Sequence, residues 1–162
     1  FLSCKLLIYR LYYIIIRRVK EKMRRGIVMG AWDVDVFKND PALDWLEEFV
    51  QFPERSTIDV ILDEILEEDY IDSWAAEEAL AAIEVVTIAK GNSKTKLKQL
   101  EKVDFSELNE EIDKKFIVKC TEVLDRIAKR DDENEIYELW EDTETLPKWL
   151  ELIKDMRRRL NE

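Results

Sequence analysis

Oxygen-bearing side chains crowd into "DVDVFKNDPALD", residues 33–44. Five of them could coordinate a hard cation such as calcium or magnesium: Asp33, Asp35, Asn39, Asp40 and Asp44. The spacing lacks the glycine and the distal glutamate of a calcium-binding helix–loop–helix. Helix capping accounts for Asn39 and Asp40, because proline follows them and is favoured at the first helical position. We therefore expect a capped helix start and a solvated turn here rather than a metal site.

Glu84 is the second candidate, because it lies inside the most apolar stretch of the chain, residues 79–89. An ionised carboxylate there needs a partner or must take up a proton. One interpretation is an enzyme in which Glu84 is a general acid or base and works with Asp33, Asp35 and Asp40. The interpretation we favour is structural. Glu84 would accept hydrogen bonds from backbone N–H groups or from the indole of Trp32, and so hold the segment "GAW" against the fold.

Few other residues are suited to reaction chemistry. The chain has no histidine, which removes the commonest general base and the commonest zinc ligand. Of its two cysteines, Cys120 falls on an apolar helical stripe and is expected to pack as a small hydrophobic residue. No phosphate-binding loop and no nucleophile elbow is present in the sequence. We predict no catalytic residue, no cofactor and no bound metal.

The apolar pattern predicts an all-α, single-domain bundle of about six helices over residues 29–162. Its centre is a helix over about residues 74–90, "WAAEEALAAIEVVTIAK", which is apolar on nearly every face, as buried helices are. Asp72 or Ser73 should cap this helix, and Gly91 should end it. The tryptophans fit core packing better than a stacking surface for bases: Trp32, Trp45, Trp74, Trp140 and Trp149.

The helices before this central one have clear end signals. Asn39 caps a first helix that runs to about Phe52 and is stopped by Pro53. Ser56 is predicted to cap the second helix. Both helices are expected to bury one apolar stripe and to expose the opposite side.

Beyond the central helix, the basic and weakly patterned residues 92–104 predict a solvated loop. A single fourth helix is predicted from about Ser106 or Asn109 to Arg130. A sixth helix begins at Leu146-Pro147, and Arg157–Arg159 complement its C-terminal end. Between these two, a fifth helix is expected to pass through Ile136, Leu139 and Trp140.

Residues 1–28 differ from the rest of the chain, because they hold eight Lys/Arg side chains and one acid. Their apolar run, residues 6–16, is roughly half of the ~20 residues that span a bilayer and is interrupted by Arg10, so we predict no stable membrane insertion. Arg24-Arg25 can be encoded as AGGAGG, a bacterial ribosome-binding sequence, at a workable distance before the codon of Met29. We therefore expect a translated leader. A tail at the membrane surface and a helix of the fold are the alternatives.

The segment "MGAWDVDVFKNDPALDWL", residues 29–46, resembles a bacterial family called domain of unknown function 4259. Members of that family open with Met-Gly-Ala-Trp, a glycine-containing turn and Phe-x-Asn-Asp-x-Ala-x-Asp-Phe/Trp. The blocks "EEALAAIEVV" and "IYELWEDTETLPKWLELIKDMRRRL" extend the resemblance to residue 160. Asp33 and Asp35 stand where the family usually has glycines. The resemblance implies a start at Met29 and no known activity. The matching residues are Met29, Gly30, Ala31, Trp32, Phe37, Asn39, Asp40, Ala42, Asp44 and Trp45.

Charge indicates the class of partner. Residues 29–162 hold 18 basic and 36 acidic side chains, a net charge of −18. Such a surface repels nucleic acid and anionic lipid and favours a basic partner. The leading hypothesis is a cytoplasmic, non-catalytic protein that binds another, basic protein, in the manner of immunity proteins or antidefence inhibitors. The alternatives are the enzyme outlined above and a structural or regulatory homo-oligomeric domain. The sequence leaves the oligomeric state open.

Overall fold

The computed structural model describes residues 34–162. The predictions for Trp32, Asp33, the start at Met29 and the leader therefore lie outside the described residues. The described part of the chain is an all-α bundle, as predicted, and its β pairing is limited to one isolated bridge between Ile71 and Asn134. It contains seven α-helices: α1 Asp40–Gln51, α2 Arg55–Glu67, α3 Ser73–Ala89, α4 Ser106–Glu111, α5 Lys114–Ile127, α6 Glu135–Glu141 and α7 Leu146–Leu160.

Helix α3 is the buried centre of the bundle, as its composition predicted. Every residue from Ala75 to Thr87 is buried, and α1, α2, α5, α6 and α7 all contact the helix. Asp72 caps it by accepting a hydrogen bond from the backbone N–H of Ala75. The chain leaves the helix at Gly91, whose φ of 76° is readily adopted only by glycine. A rod that is apolar on all sides is thus covered on all sides.

Helix α1 begins and ends where its sequence signals predicted. The side chain of Asn39 accepts from the N–H of Ala42, Pro41 occupies the first turn, and the helix stops before Pro53. Its inward stripe packs against α3 and includes Trp45 and Phe49, whose rings stack with centroids 5.3 Å apart. The N-cap and the apolar stripe together orient α1 along the central helix.

Two helix starts differ from the prediction. Ser56 does not cap α2, which begins one residue earlier, at Arg55, without a side-chain cap. The turn before it is held instead by Thr57, whose hydroxyl donates to the Phe52 carbonyl at 2.7 Å. The predicted fourth helix is divided into α4 and α5, because Asp113 adopts an extended conformation and caps the N–H of Phe116. A side chain that bonds its own backbone in this way competes with helix continuation.

Residues 92–104 are also only partly as predicted. The segment is a connection with one short 3₁₀ turn, Lys98–Leu100, but it is not wholly solvated. Leu100 is buried, and the hydroxyls of Ser93 and Thr95 bond to Glu84. The apolar content of the segment is too low for periodicity to reveal these contacts.

Helices α6 and α7 close the core with aromatic side chains. Trp140 of α6 and Trp149 of α7 are buried and stack with ring centroids 5.7 Å apart. Helix α7 begins at Leu146 with Pro147 in its first turn, as predicted. Helix α6 passes through Ile136, Leu139 and Trp140, as predicted; Ile136 and Trp140 face the core, whereas Leu139 is 40% exposed.

Asn134 joins three elements and is 1% exposed. Its side-chain N–H₂ group donates to the carbonyls of Arg126, Ile127 and Lys129, which lie at and just after the C-terminal end of α5. Its side-chain oxygen caps α6 at the N–H of Tyr137. Through the bridge to Ile71 it also fixes the connection between α2 and α3.

Within residues 34–162, no helix combines the length and the apolar character that a bilayer crossing requires.

Replacing Asn134 with alanine should lower the free energy of unfolding by about 3 kcal/mol, because the carbonyls of Ile127 and Lys129 lose their side-chain donor and α6 loses its cap. Urea unfolding measures the change. Asn109→Ala, at an exposed position of α4, is the matched control and should change stability by less than about 0.5 kcal/mol. A loss below 1 kcal/mol in Asn134→Ala would contradict the role assigned to this residue.

Candidate functional site

The first candidate cluster forms a helix start. The Asp35 carboxylate accepts from the N–H of Phe37 at 3.0 Å, and the Asp35 carbonyl accepts from the N–H of Lys38 at 3.2 Å. Asn39 caps α1 and also donates to the Val36 carbonyl at 3.2 Å. These bonds make residues 35–39 a turn that leads into the helix.

The remaining residues of this cluster lie at the surface of α1 or outside the described range. Asp40 is exposed in the first turn, where its charge complements the positive end of the helix dipole. Asp44 lies one turn later and is half-buried. Among residues 34–162, no group of three or more acidic or thiol side chains is arranged to hold a metal ion.

Glu84 is paired with Arg159, in the last turn of α7. The two guanidinium nitrogens of Arg159 donate to the two oxygens of Glu84 at 2.9 and 2.8 Å. The Glu84 side chain is 3% exposed and that of Arg159 is 12% exposed. Two parallel hydrogen bonds between a planar guanidinium and a carboxylate are the strongest geometry available to such a pair.

Hydroxyl groups complete the coordination of this carboxylate. Ser93 donates to Oε1 of Glu84 at 2.6 Å, and Thr95 donates to the same oxygen at 3.1 Å. Arg159 in turn donates to the hydroxyl of Thr87 at 3.0 Å and to the carboxylate of Asp155 at 2.7 Å. Each oxygen of Glu84 therefore has at least one donor within the protein, an arrangement that favours a structural role over general acid–base catalysis.

This group of residues fastens the end of the chain to the central helix. Lys90 donates to the carbonyl of Leu160, and Asn92 donates to that of Arg159 at 3.0 Å. The expected partner of Glu84, Trp32, lies outside the described residues. The partners that the structure shows are on α7 and on the connection after α3.

Arg159 was missed as the partner of Glu84, since the run Arg157–Arg159 fits a helix end equally well. The position of Arg159 relative to the apolar stripe of α7 could have indicated that it is partly buried. Arg159 lies three residues after Met156 and directly before Leu160, both on the buried stripe of α7. Burial alone would lower the pKa of Arg159, but the hydrogen bonds and charge of Glu84 outweigh burial and raise it.

Glu77 is a second buried carboxylate of α3, and sequence reasoning did not single it out. It is 4% exposed, and its Oε2 atom makes no hydrogen bond within the described part of the chain. Burial raises the pKa of Glu77 to about 8, and the nearby charges of Asp72, Glu78 and Asp40 act in the same direction. Glu77 therefore keeps its proton at neutral pH and is an uncharged carboxylic acid there.

A half-buried network joins α2 to α5. Lys119 donates to Asp59 at 2.6 Å and lies 2.6 Å from Asp63, while Arg55 pairs with Asp59 at 3.1 Å and stands over the ring of Phe116.

Cys120 of α5 is buried, as predicted, and burial raises the pKa of its thiol to about 12. A thiol with that pKa is not a nucleophile at neutral pH.

Comparison with known proteins identifies a family. The family described as "Domain of unknown function (DUF4259)" matches residues 30–152, which include Glu77 and Glu84 but not Arg159. No curated protein and no solved structure matches the chain.

Replacing Glu84 with glutamine should destabilise the protein by about 3 kcal/mol, because the buried guanidinium of Arg159 loses its counter-charge. Chemical denaturation of Glu84→Gln, Arg159→Ala and the double variant would measure the coupling between the two residues. Glu151→Gln is the matched control, since Glu151 belongs to an exposed pair with Lys154. An unchanged stability of Glu84→Gln would show that the pair does not hold α7.

The free energy of unfolding of Glu77→Gln, relative to that of wild type, should increase as pH rises. Between pH 4.5 and about 8 the unfolded chain releases a proton that the folded protein retains, so wild-type stability falls by about 1.4 kcal/mol per pH unit through this group. The variant cannot ionise and does not share this loss. Urea unfolding at pH 5 and pH 8 tests the difference, and the exposed Glu47→Gln serves as control. A constant difference between variant and wild type would contradict the assigned protonation state.

Proposed function

The chain belongs to the DUF4259 family, and from this membership and the structure we propose that it is a small bacterial cytoplasmic protein that acts by binding a basic protein. The family description names no activity. The proposal therefore depends on the charges and contacts of this chain.

The uneven distribution of charge along the fold carries the proposal. Residues 39–89, which include α1, α2 and α3, hold fifteen acidic side chains and a single basic one, Arg55. Residues 90–162 hold nineteen acidic and sixteen basic side chains and are nearly balanced. Three of the fifteen acids are buried in α3, namely Glu77, Glu78 and Glu84, and the other twelve are at least partly exposed. We call these twelve side chains the acidic surface.

An acidic surface of this kind acts on partners over a long range. It accelerates encounter with a basic protein and repels nucleic acid and anionic lipid. Proteins that bind nucleic acid present clustered lysine and arginine side chains, so a nuclease or another nucleic-acid-binding protein is the class of partner that fits best. An immunity protein or an antidefence inhibitor would act in this way, by occupying the basic surface of its target.

Two further observations support binding rather than catalysis. Glu84, the central residue of the enzyme alternative, accepts hydrogen bonds from Arg159, Ser93 and Thr95. Asp35, which that alternative joins to Glu84, is bonded to the backbone of the turn before α1.

The proposed location in the cytoplasm is supported by Cys120, whose thiol is free and buried, as is usual in a reducing compartment.

Neutralising part of the acidic surface should weaken binding of the basic partner about tenfold, through loss of electrostatic attraction. The test variant replaces four exposed acids and combines Glu47→Gln, Glu54→Gln, Glu68→Gln and Asp69→Asn. A control variant makes the same charge change in the balanced half and combines Glu107→Gln, Glu110→Gln, Glu122→Gln and Glu144→Gln.

The partner would be isolated from host lysate at low salt, identified by mass spectrometry and purified. Its affinity for wild type and for both variants would then be measured at two ionic strengths. A partner rich in lysine and arginine that binds the control normally and the test variant weakly supports the proposal. Capture of neutral or acidic proteins alone, or equal weakening in both variants, would contradict it.

A further inference from the structure

Tyr70 projects from the connection between α2 and α3, and its side chain does little for the core. It is 52% exposed, which places it among the most exposed large hydrophobic residues of the described range. An exposed tyrosine by itself has no special meaning. Tyr70 is distinguished by its backbone, which is held by hydrogen bonds on both sides.

The backbone before Tyr70 is bound by a long side chain from α5. The guanidinium of Arg126 donates to the carbonyl of Leu66 at 2.9 Å, to that of Glu68, and to that of Asp69 at 3.3 Å. These carbonyls lie at and just after the C-terminal end of α2, where helical partners run out. Arg126 thereby fixes the chain up to the residue that precedes Tyr70.

The backbone after Tyr70 is bound equally well. Ile71 donates to the carbonyl of Glu133 at 2.7 Å and accepts from the N–H of Glu135 at 3.0 Å. The carboxylate of Glu135 accepts from the N–H of Ser73 at 2.7 Å. Tyr70 is therefore presented from a backbone that is fixed on both sides, and little conformational entropy would be lost there when a partner binds.

Acidic groups surround this aromatic ring. Asp72 lies two residues after Tyr70, the backbone bond from the N–H of Glu135 to the Ile71 carbonyl brings Glu135 to this connection, and Glu138 lies one turn further along α6. Besides partial burial, the charges of these three acids raise the pKa of the Tyr70 hydroxyl. Leu139, which follows Glu138 on α6, is 40% exposed and adds apolar area. Tyrosine is among the residues that dominate binding energy at protein interfaces, where a polar rim surrounds an anchoring side chain.

The acidic neighbourhood continues to an unsatisfied buried oxygen. Asp72, which caps α3, lies two residues after Tyr70, and Glu77 follows in the second turn of that helix. Oε2 of Glu77 has no hydrogen-bond partner among the described residues, and Glu77 is 4% exposed. Because Glu77 is buried and uncharged at neutral pH, the negative charge beside Tyr70 comes from Asp72, Glu135 and Glu138.

We propose that the surface formed by Tyr70, Asp72, Glu135, Glu138 and Leu139 is the docking site for the basic partner, with the Tyr70 ring as its anchor and the acids as a rim that pairs with lysine and arginine. This inference rests on the proposed function. It commits to a partner whose surface has an apolar recess surrounded by cationic side chains. A second copy of this chain does not fit, because a two-fold contact here would bring acidic rims together.

The decisive experiment is site-specific photo-crosslinking in the native host. The photoreactive residue p-benzoylphenylalanine, which resembles tyrosine in shape, replaces Tyr70 in one protein and Val118 in a control. Val118 of α5 is 54% exposed and lies outside the proposed surface. An adduct at position 70 with a lysine- and arginine-rich protein, absent at position 118, supports the proposal. An adduct with a second copy, or with the same partner only at position 118, overturns it.

Affinity measurements with the isolated partner give an independent test. Tyr70→Ala should weaken binding about thirtyfold, as loss of an anchoring side chain does, while Tyr70→Phe and Val118→Ala should stay within about threefold of wild type. The ring is half-exposed, so the unfolding midpoint of Tyr70→Ala should stay close to that of wild type. If the partner binds Tyr70→Ala normally, the docking site is wrong while the proposed function stands. If no basic partner binds the wild type, the proposed function itself fails.

Discussion

A helix without a polar side must be covered on every side, and α3 imposes this constraint on the whole bundle. Its residues from Ala75 to Thr87 are all buried. Helices with a single apolar stripe can meet this demand only by surrounding α3, as α1, α2, α5, α6 and α7 do. The positions of the other helices, and hence of every surface feature, follow from the need to keep this rod away from water.

Three carboxylates lie within that rod, and each is accommodated differently. Glu84 pairs with the guanidinium of Arg159 and accepts from two hydroxyl groups. Glu78 accepts a hydrogen bond from the indole of Trp74 at 3.1 Å. Glu77 lies near other acids and holds its proton at neutral pH. Burial of an acid requires a counter-charge, a donor or neutralisation, and α3 shows all three solutions within eight residues.

The same framework holds the connection between α2 and α3, which carries the proposed docking site, in a fixed conformation. The side chains of Arg126 and Asn134 donate hydrogen bonds to backbone carbonyls rather than to acids. They thereby fix the helix ends around the connection that bears Tyr70. Most of the unbalanced negative charge lies on the first three helices, where Arg55 is the single basic side chain. In the proposed function, this connection supplies the Tyr70 anchor and the neighbouring charge supplies long-range attraction for a basic protein.

The helical class, the buried central helix and the cap of α1 could be predicted from the sequence, because they depend on hydrophobic periodicity and on hydrogen bonds between near neighbours. One local signal was overlooked. Asp113 caps α5 and so divides the predicted fourth helix, although the apolar pattern continues across it. The tertiary structure decided what Glu84 and Glu77 do. Glu84 pairs with an arginine 75 residues away, and Glu77 is buried near other acids, among them Asp40 of another helix, whose charge helps to raise its pKa. Such contacts depend on which helix faces come together, and one-dimensional spacing does not contain that information.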